Sequence, residues 1–291
     1  MGLVPKSDGT FRRIYNLSSP KPRRGLFINA AILEAYSTLT YSTVDDILAL
    51  ILLAGRGAVI LKRDLKDAFR NIPVAITDQR LLGFKWEKIV YTERCLPFGL
   101  ATAPFLFNLF AEALYWVLER RLHPIIAFFA LVHYLDDFIF TLRPGTSYTL
   151  VIHVYNFTIT LLGFPPNATK DSCGTVSDIL GYQINTNTFF LSLSPAKQIV
   201  LQDLLASFVL RPQVSLKQYQ QLEGSLTWAT KVIQLGRSYS RSLWDLITAF
   251  SLINRRTLPI PPAVISDLAW WSEALALRNG VRFFQKDITR P

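Results

Sequence analysis

The chain has 291 residues, half of them hydrophobic, and 31 Lys and Arg against 21 Asp and Glu, a formal surplus of ten positive charges. That length and apolar content allow a sizeable core in more than one lobe, and the absence of repeats or low-complexity tracts excludes fibrous and disordered classes. The basic balance points to a polyanionic partner, nucleic acid or an acidic membrane surface.

The longest apolar runs, ILALILLAG at 47–55 and PIIAFFALV at 124–132, fall short of the roughly 20 residues of a spanning helix. The opening MGLVPKSDG carries no signal-peptide core. Two cysteines, Cys95 and Cys173, match neither a zinc pattern nor a disulfide framework. The expectation is therefore a soluble, intracellular protein that is not secreted, in which sequons at Asn16, Asn156 and Asn167 carry little meaning.

Along the chain, VPKSDGTFRRIYNLS alternates around an Asp-Gly turn and reads as a hairpin, followed by a basic loop, SSPKPRRG. Thr43 and Asp46 form a capping-box pattern ahead of ILALILLA, and Gly55 ends that helix. AVILKRDL is a buried strand that stops at Asp64. LPFGLATAP is a Gly/Pro loop, and PFLFNLFAEALYWVLERRL has helical length and periodicity with Pro104 in its first turn. Two strands flank Tyr134-Leu135-Asp136-Asp137, Ser147 to Leu162 reads as helix, and ILGYQINTNTFFLSL as a hairpin around an Asn-rich turn. From Ser194 the character turns helical. One helix starts at Ser194-Pro195, a second is capped by Ser215 and Gln218, and RSYSRSLWDLITAFS is a third. LPIPPA at 258–263 breaks the chain before a last helix with Trp270 and Trp271.

The stretch VHYLDDFIF places two like charges, Asp136 and Asp137, inside an apolar run. One reading is an acidic hairpin tip in water; the other is a divalent cation held against both carboxylates. Neighbouring side chains on a regular strand point to opposite faces, but a tight turn relaxes that restriction. Mg²⁺ needs further oxygen ligands. Asp64, at the end of a buried strand 72 residues upstream of Asp136, is the candidate, with a strand-end cap as its alternative. Only a sheet that pairs the two strands can join them.

An Asp at a strand end, a Gly/Pro loop leading into a helix, and a Tyr-x-Asp-Asp hairpin occur in the order used by palm-domain nucleotide polymerases. Over nearly its whole length the chain resembles a reverse transcriptase. KRDLKDAFRNIPV resembles the family's first catalytic motif, LPFGLATAPFLFN its template-gripping loop and helix, and YLDD its metal-binding hairpin. LLGFPPNATK resembles the following loop with its lysine, ILGY the primer grip, and VPKSDGTFRR the fingers hairpin. NLSSPKPRRGLFINAAI, IPVAITDQRLLGFKW and DLAWWSEALALRNG are similar to DIRS-type retrotransposons, which pair a reverse transcriptase with a tyrosine recombinase; gypsy-like elements share LPFGLATAP.

The resemblance implies an α+β right-hand polymerase. Fingers would span 1–57 and 72–102, the palm 58–71 and 103–190, and a helical thumb 191–257, with 258–291 leading toward an RNase H domain. RNase H and recombinase activities are expected elsewhere in the element, so the chain reads as a fragment or a truncated copy. The implied activity is RNA-directed DNA polymerisation, extending a DNA primer on an RNA or DNA template with dNTPs. Two Mg²⁺ ions, with Mn²⁺ as a substitute, would be held by Asp64 and Asp136, assisted by Asp137 and the backbone at Leu65.

Asp67, Ala68 and Phe69 would line the dNTP site, where the Phe69 ring would exclude a ribose 2′-hydroxyl; its alternative is a core phenylalanine. Lys6 and Arg12 match the fingers cations that take the triphosphate. Phe98, Gly99, Ala103 and Pro104 would form the floor under the nascent base pair, and Lys170 would donate a proton to pyrophosphate. Tyr134, Leu135, Gly181 and Tyr182 would hold the primer end. Lys217, Lys231, Arg237 and Arg241 would contact duplex phosphates, or form the wet face of a generic helical bundle. Asn16 stands where many family members carry an acid. An RNA-directed RNA polymerase is one rival, opposed by Phe69 and YLDD. The other is an inactive, domesticated or decayed copy serving as a nucleic-acid-binding scaffold.

Overall fold

The computed structural model describes residues 2–6, 9–19, 27–165, 171–253 and 255–283. Lys170, the Ser7-Asp8 half of the first turn and most of the SSPKPRRG loop lie outside them. Two compact units result: residues 1–50 with 59–173, and residues 51–58 with 174–291.

The first unit opens with β1 (Gly2–Pro5) and β2 (Phe11–Ile14), an antiparallel hairpin. Thr43 then caps α1 (Val44–Ala54), its N–H and hydroxyl both donating to the Asp46 carboxylate at 2.7 and 2.8 Å. This is the capping box expected from sequence, and Gly55, at φ +95°, ends the helix. Next come β3 (Val59–Asp64), a short helix α2 (Ile76–Gln79), and the hairpin β4 (Gly83–Trp86) with β5 (Ile89–Thr92). The helix α3 (Ala103–Leu122) is followed by β6 (Phe129–Tyr134), β7 (Asp137–Leu142), α4 (Tyr148–Leu161) and β8 (Ser172–Gly174).

Four of these strands form one sheet in the order β6-β7-β3-β8, with β7 antiparallel to both β6 and β3. Strand alternation sorts its residues. Leu61, Leu131, Phe138, Phe140 and Leu142 share one face, which packs on Phe107, Ala111, Leu114, Leu118 and Leu122 of α3 and on Val151, Tyr155 and Ile159 of α4. Each buried Leu, Val, Ile or Phe among them contributes about 1.5–3 kcal/mol. The hairpin β4–β5 is a finding that the sequence pattern missed. Only Phe84 on it is even partly buried, so no period-2 signal exists. Its turn, Glu87-Lys88, also takes positive φ at both residues without glycine or asparagine.

The second unit carries β9 (Val176–Ile179), β10 (Tyr182–Asn185), β11 (Phe190–Leu193), α5 (Pro195–Val209), β12 (Val214–Ser215), α6 (Leu216–Ala229), α7 (Arg241–Ser251), β13 (Thr257–Leu258), α8 (Pro262–Leu277) and β14 (Val281–Arg282). Its sheet runs β14-β11-β10-β9. The Asn-rich turn is present, with the N–H groups of Asn187 and Thr188 donating to the Asn185 side chain. Beyond the expected hairpin, β9 and β14 extend the sheet on either side. Ser215 and Gln218 form a full capping box at α6. The helices bury Leu205, Tyr219, Leu226, Phe250, Leu268 and Trp271. Among the described residues no helix is long and apolar enough to cross a membrane.

Candidate active site

Asp64 is the last residue of β3, and the register places its Cα directly opposite that of Asp137, the first residue of β7. Tyr134, at the end of β6, also pairs with Asp137. Only Leu135 and Asp136 separate the two strands. Leu135 has φ +51° and Asp136 does not have positive φ, the pattern of a type II′ hairpin turn, whose first central residue is usually glycine. A leucine there stores roughly 1–3 kcal/mol of backbone strain. The Asp136 carbonyl accepts the Leu65 N–H at 3.0 Å, which carries the β3–β7 ladder into the turn. The sheet therefore joins acids that lie 72 residues apart in sequence.

Directly opposed residues of an antiparallel pair share a face, so Asp64, Asp137 and Lys62 stand together on the face away from α3 and α4. Asp64 is only 3% exposed. The Lys62 ammonium lies 2.9 Å from the Asp137 carboxylate. On the other face, Arg63 reaches Asp171 at 2.5 Å and Asn156 at 2.5 Å, its guanidinium 5.1 Å from the Tyr155 ring centre. Asp171 in turn accepts the Asp64 N–H at 3.2 Å. Burial raises the Asp171 carboxyl above its usual range in spite of Arg63.

The donors of Asp64, Asp136 and Asp137 are all oxygen, which suits a hard cation. No group of three or more acids, histidines or cysteines is gathered tightly enough to cage a metal among the described residues. That arrangement still fits Mg²⁺, which is usually held by one or two carboxylates together with substrate phosphates rather than by an all-protein cage.

Beside the acids, Asp67 adopts φ +55° and leads into a 3-10 turn at Ala68–Asn71. Lys6 lies 3.8 Å from the Asp67 carboxylate. The Phe69 ring packs against Phe98 at 5.1 Å and Phe107 at 5.7 Å between centres, and the Arg12 guanidinium sits 4.5 Å over Phe98. The β1–β2 hairpin, the Phe69 ring and the Gly/Pro loop are thus brought together. Gly99 adopts φ +105°, where a Cβ would come within 1.9 Å of the Tyr15 carbonyl oxygen; only glycine permits that approach. Pro104 occupies the first turn of α3. The Tyr41 and Tyr134 rings lie 5.0 Å apart between centres, tilted by 32°.

Three residues of this region escaped the sequence reading. Asn29 clamps the Gly/Pro loop, donating to the Gly99 carbonyl and accepting the Ala101 N–H, each at 2.9 Å. Glu93, 4% exposed, receives the Tyr15 hydroxyl and Arg70 (2.6 Å), with Arg13 at 3.8 Å. Burial and the bond to Glu93 push the Tyr15 hydroxyl up to about 12. Asp171 is the third. The available signals were slight: a single acid flanking the Gly/Pro loop, and another directly after the ATK lysine.

In the second unit, Leu180 and Gly181, at φ +50° and +86°, form the turn between β9 and β10. A Cβ on Gly181 would meet Trp228 at 2.7 Å. The Tyr182 hydroxyl donates to the Trp228 carbonyl at 2.8 Å, and the two rings lie 4.7 Å apart. A groove of about 530 Å³ runs alongside, lined by Leu180, Lys197, Val200, Gln220, Gly224 and Trp228. Lys217 and Arg237 are exposed and Lys231 is half-buried, while Arg241 pairs with Asp245 at 3.0 Å.

The sequence profile of the reverse transcriptase (RNA-dependent DNA polymerase) family matches residues 28–176, just over half of the chain and the whole stretch from Asn29 to Asp171. The chain belongs to the reverse transcriptase family. Among curated proteins it is similar to Protein P of duck hepatitis B virus: 26% identical over 202 residues in the Shanghai isolate DHBVQCA34, covering 69% of this chain and 24% of that protein. The United States strain DHBV-16 is 28% identical over 173 residues, covering 59% and 19%. This reverse transcriptase chain thus spans about a quarter or less of those relatives' length. Its fold is that of foamy viral protease-reverse transcriptases. One, in complex with double-stranded DNA, superposes with a TM-score of 0.73 at 17% identity, over 98% of this chain and 44% of that one. Another, in complex with an RNA/DNA hybrid, gives 0.65 at 18%, over 96% and 33%. The α+β polymerase architecture expected from the sequence is the one observed.

Proposed function

We propose that this chain is the polymerase part of an RNA-directed DNA polymerase, extending a DNA primer on an RNA or DNA template by a two-metal-ion mechanism. One observation carries the reading: the register that sets Asp64 against Asp137 with Asp136 in the adjoining two-residue turn. Asp64, Asp136, Asp137 and the Leu65 backbone would hold the ions. When bound, these lower the pKa of the primer hydroxyl and offset charge on the reacting phosphates. The chain's own residues position the reactants. Arg12, braced over Phe98, and Lys6 take the triphosphate. Phe69, wedged against Phe98 and Phe107, meets the sugar at C2′. Tyr134 and Leu135 pack beside the primer end. Gly181 and Tyr182 are proposed as a primer grip on sequence resemblance. The groove beside Trp228 and the cations Lys217, Lys231 and Arg237 contact the duplex, with binding that weakens as salt rises.

The three stretches NLSSPKPRRGLFINAAI, IPVAITDQRLLGFKW and DLAWWSEALALRNG support a DIRS-type retrotransposon source, working inside the cell. Lys170 is proposed as the proton donor on sequence position alone.

The test is extension of a DNA primer annealed to RNA, with dNTPs and Mg²⁺ or Mn²⁺. The unmodified protein extends it. Asp136→Asn loses extension while holding primer–template nearly as tightly. An Asp136→Asn protein as active as the parent removes the metal assignment, and a parent that binds but never extends favours the scaffold reading.

A further inference from the structure

Behind the catalytic strand lies a buried ionic cluster that polymerisation, as described, does not use. Arg63 and Asp171 are 8% and 11% exposed at their side chains and meet at 2.5 Å. Removing two charges from water is costly, and a pair of well-packed apolar side chains often serves stability as well or better. The pair therefore calls for a reason beyond folding. Its geometry supplies one. Asp171 holds the Arg63 guanidinium with one carboxylate oxygen, and with the other accepts the backbone N–H of Asp64. Arg63 is fixed from two further sides, by the Asn156 carbonyl oxygen and the Tyr155 ring. The acceptor is thus locked by α4, and it grips the one peptide whose side chain opposes Asp137.

We propose that Asp171 and Arg63 are positioning residues that set the Asp64 backbone, and through it the angle at which the Asp64 carboxylate meets Asp137 and a bound divalent ion. Peptide Asp64 sits at the end of β3, where the ladder to β7 gives way to the turn contact of Leu65. A strand end frays unless something holds it. The β8 segment that follows Asp171 is hydrogen-bonded to β3 as its edge neighbour, so the clamp and the strand it steadies belong to one sheet. The inference rests on the proposed polymerase reading, but its physical content concerns ion binding by the three acids.

The experiment compares Asp171→Ala with Asp171→Asn, which retains an acceptor for the Asp64 N–H. For Asp171→Ala, kcat for single-nucleotide extension falls about tenfold or more, with dNTP KM and primer–template Kd nearly unchanged. Mn²⁺ binding, followed by water-proton relaxation without nucleic acid, weakens by a similar order. Asp171→Asn recovers most of both losses. If Asp171→Ala does not fold, the charge-free pair Arg63→Met/Asp171→Leu takes its place with the same expectation. An alanine variant with parental kcat and Mn²⁺ affinity overturns the proposal. So does an asparagine variant as impaired as alanine, or failure of both Asp171→Ala and the charge-free pair to fold, which would assign the cluster to folding alone. If the parent extends no primer, the polymerase reading fails by itself, and Mn²⁺ affinity then decides the positioning role.

Discussion

Replacing Gly99 by alanine perturbs the floor of the proposed nucleotide site at its tightest point. The added Cβ would lie 1.9 Å from the Tyr15 carbonyl oxygen, so backbone must move by about 1.1 Å to reach even 3.0 Å. Neither side can yield cheaply. The Tyr15 N–H is bonded to the Phe98 carbonyl at 2.8 Å and its hydroxyl to Glu93, while the Gly99 carbonyl is held by Asn29. Alanine at φ +105° costs about 1–2 kcal/mol, and overpacking about 1–3 kcal/mol more. Together they lower the melting temperature by on the order of 10 °C. The same shift displaces Phe98 from beneath Arg12, and a misplacement near 1 Å reduces kcat/KM for dNTP by about 10²-fold. Gly145→Ala is the control, since Gly145 has φ +82° with nothing within 4 Å of its would-be Cβ. It loses only the backbone part and leaves extension intact. Thermal denaturation and a dNTP titration on primed RNA measure both quantities. If Gly99→Ala melts like Gly145→Ala and binds dNTP like the parent, the close approach of Gly99 to Tyr15 does not organise the site.

Phe69→Ala, by opening the space against Phe98 and Phe107, lowers the preference for dNTP over NTP by about tenfold or more; an unchanged ratio in single-nucleotide incorporation removes the gate role. Glu87→Asn with Lys88→Gly relieves two positive-φ residues on an exposed turn and raises unfolding free energy by about 1–2 kcal/mol. Urea titration checks this, and no gain would mean that the turn is not of this type in solution. Burial alone would raise the Glu93 carboxyl, but the Tyr15 hydroxyl and the Arg70 guanidinium outweigh it and hold the group below its ordinary 4.5. A lowered folded-state pKa contributes stability above the unfolded value that disappears as pH falls through the folded one. Acid denaturation below about pH 4.5 is therefore less steep for Glu93→Gln. Melting curves between neutral and acid pH that run parallel in the two proteins would refute that coupling.

What could be read in advance followed from strong local signals. Asp64 was legible because it ends an aliphatic strand, and the YLDD acids because they interrupt a greasy run. The caps at Thr43 and Ser215 carried their own chemistry. The pairing of Asp64 with Asp137 was reachable only as a condition, since register depends on which strands meet and on a turn two residues long. Asn29, Glu93 and Asp171 left at most a slight trace in the sequence, for one shared reason. Each acts on backbone or charge far away in sequence, Asn29 on Ala101 at 72 positions, Glu93 on Tyr15 at 78 and Asp171 on Asp64 at 107, and none sits in a periodic pattern. The β4–β5 hairpin was missed because burial, the source of periodicity, is nearly absent there.

The tight bend at Leu135-Asp136 constrains any attempt to rebuild this sheet. Strand side chains alternate strictly, so lengthening or shortening β7 by a single position between Asp137 and Leu142 would turn one end of it over. Either the aromatic row falls out of the helical layer, or the acid is handed to Arg63's side of the sheet. Side chains on these strands can be exchanged; their count cannot.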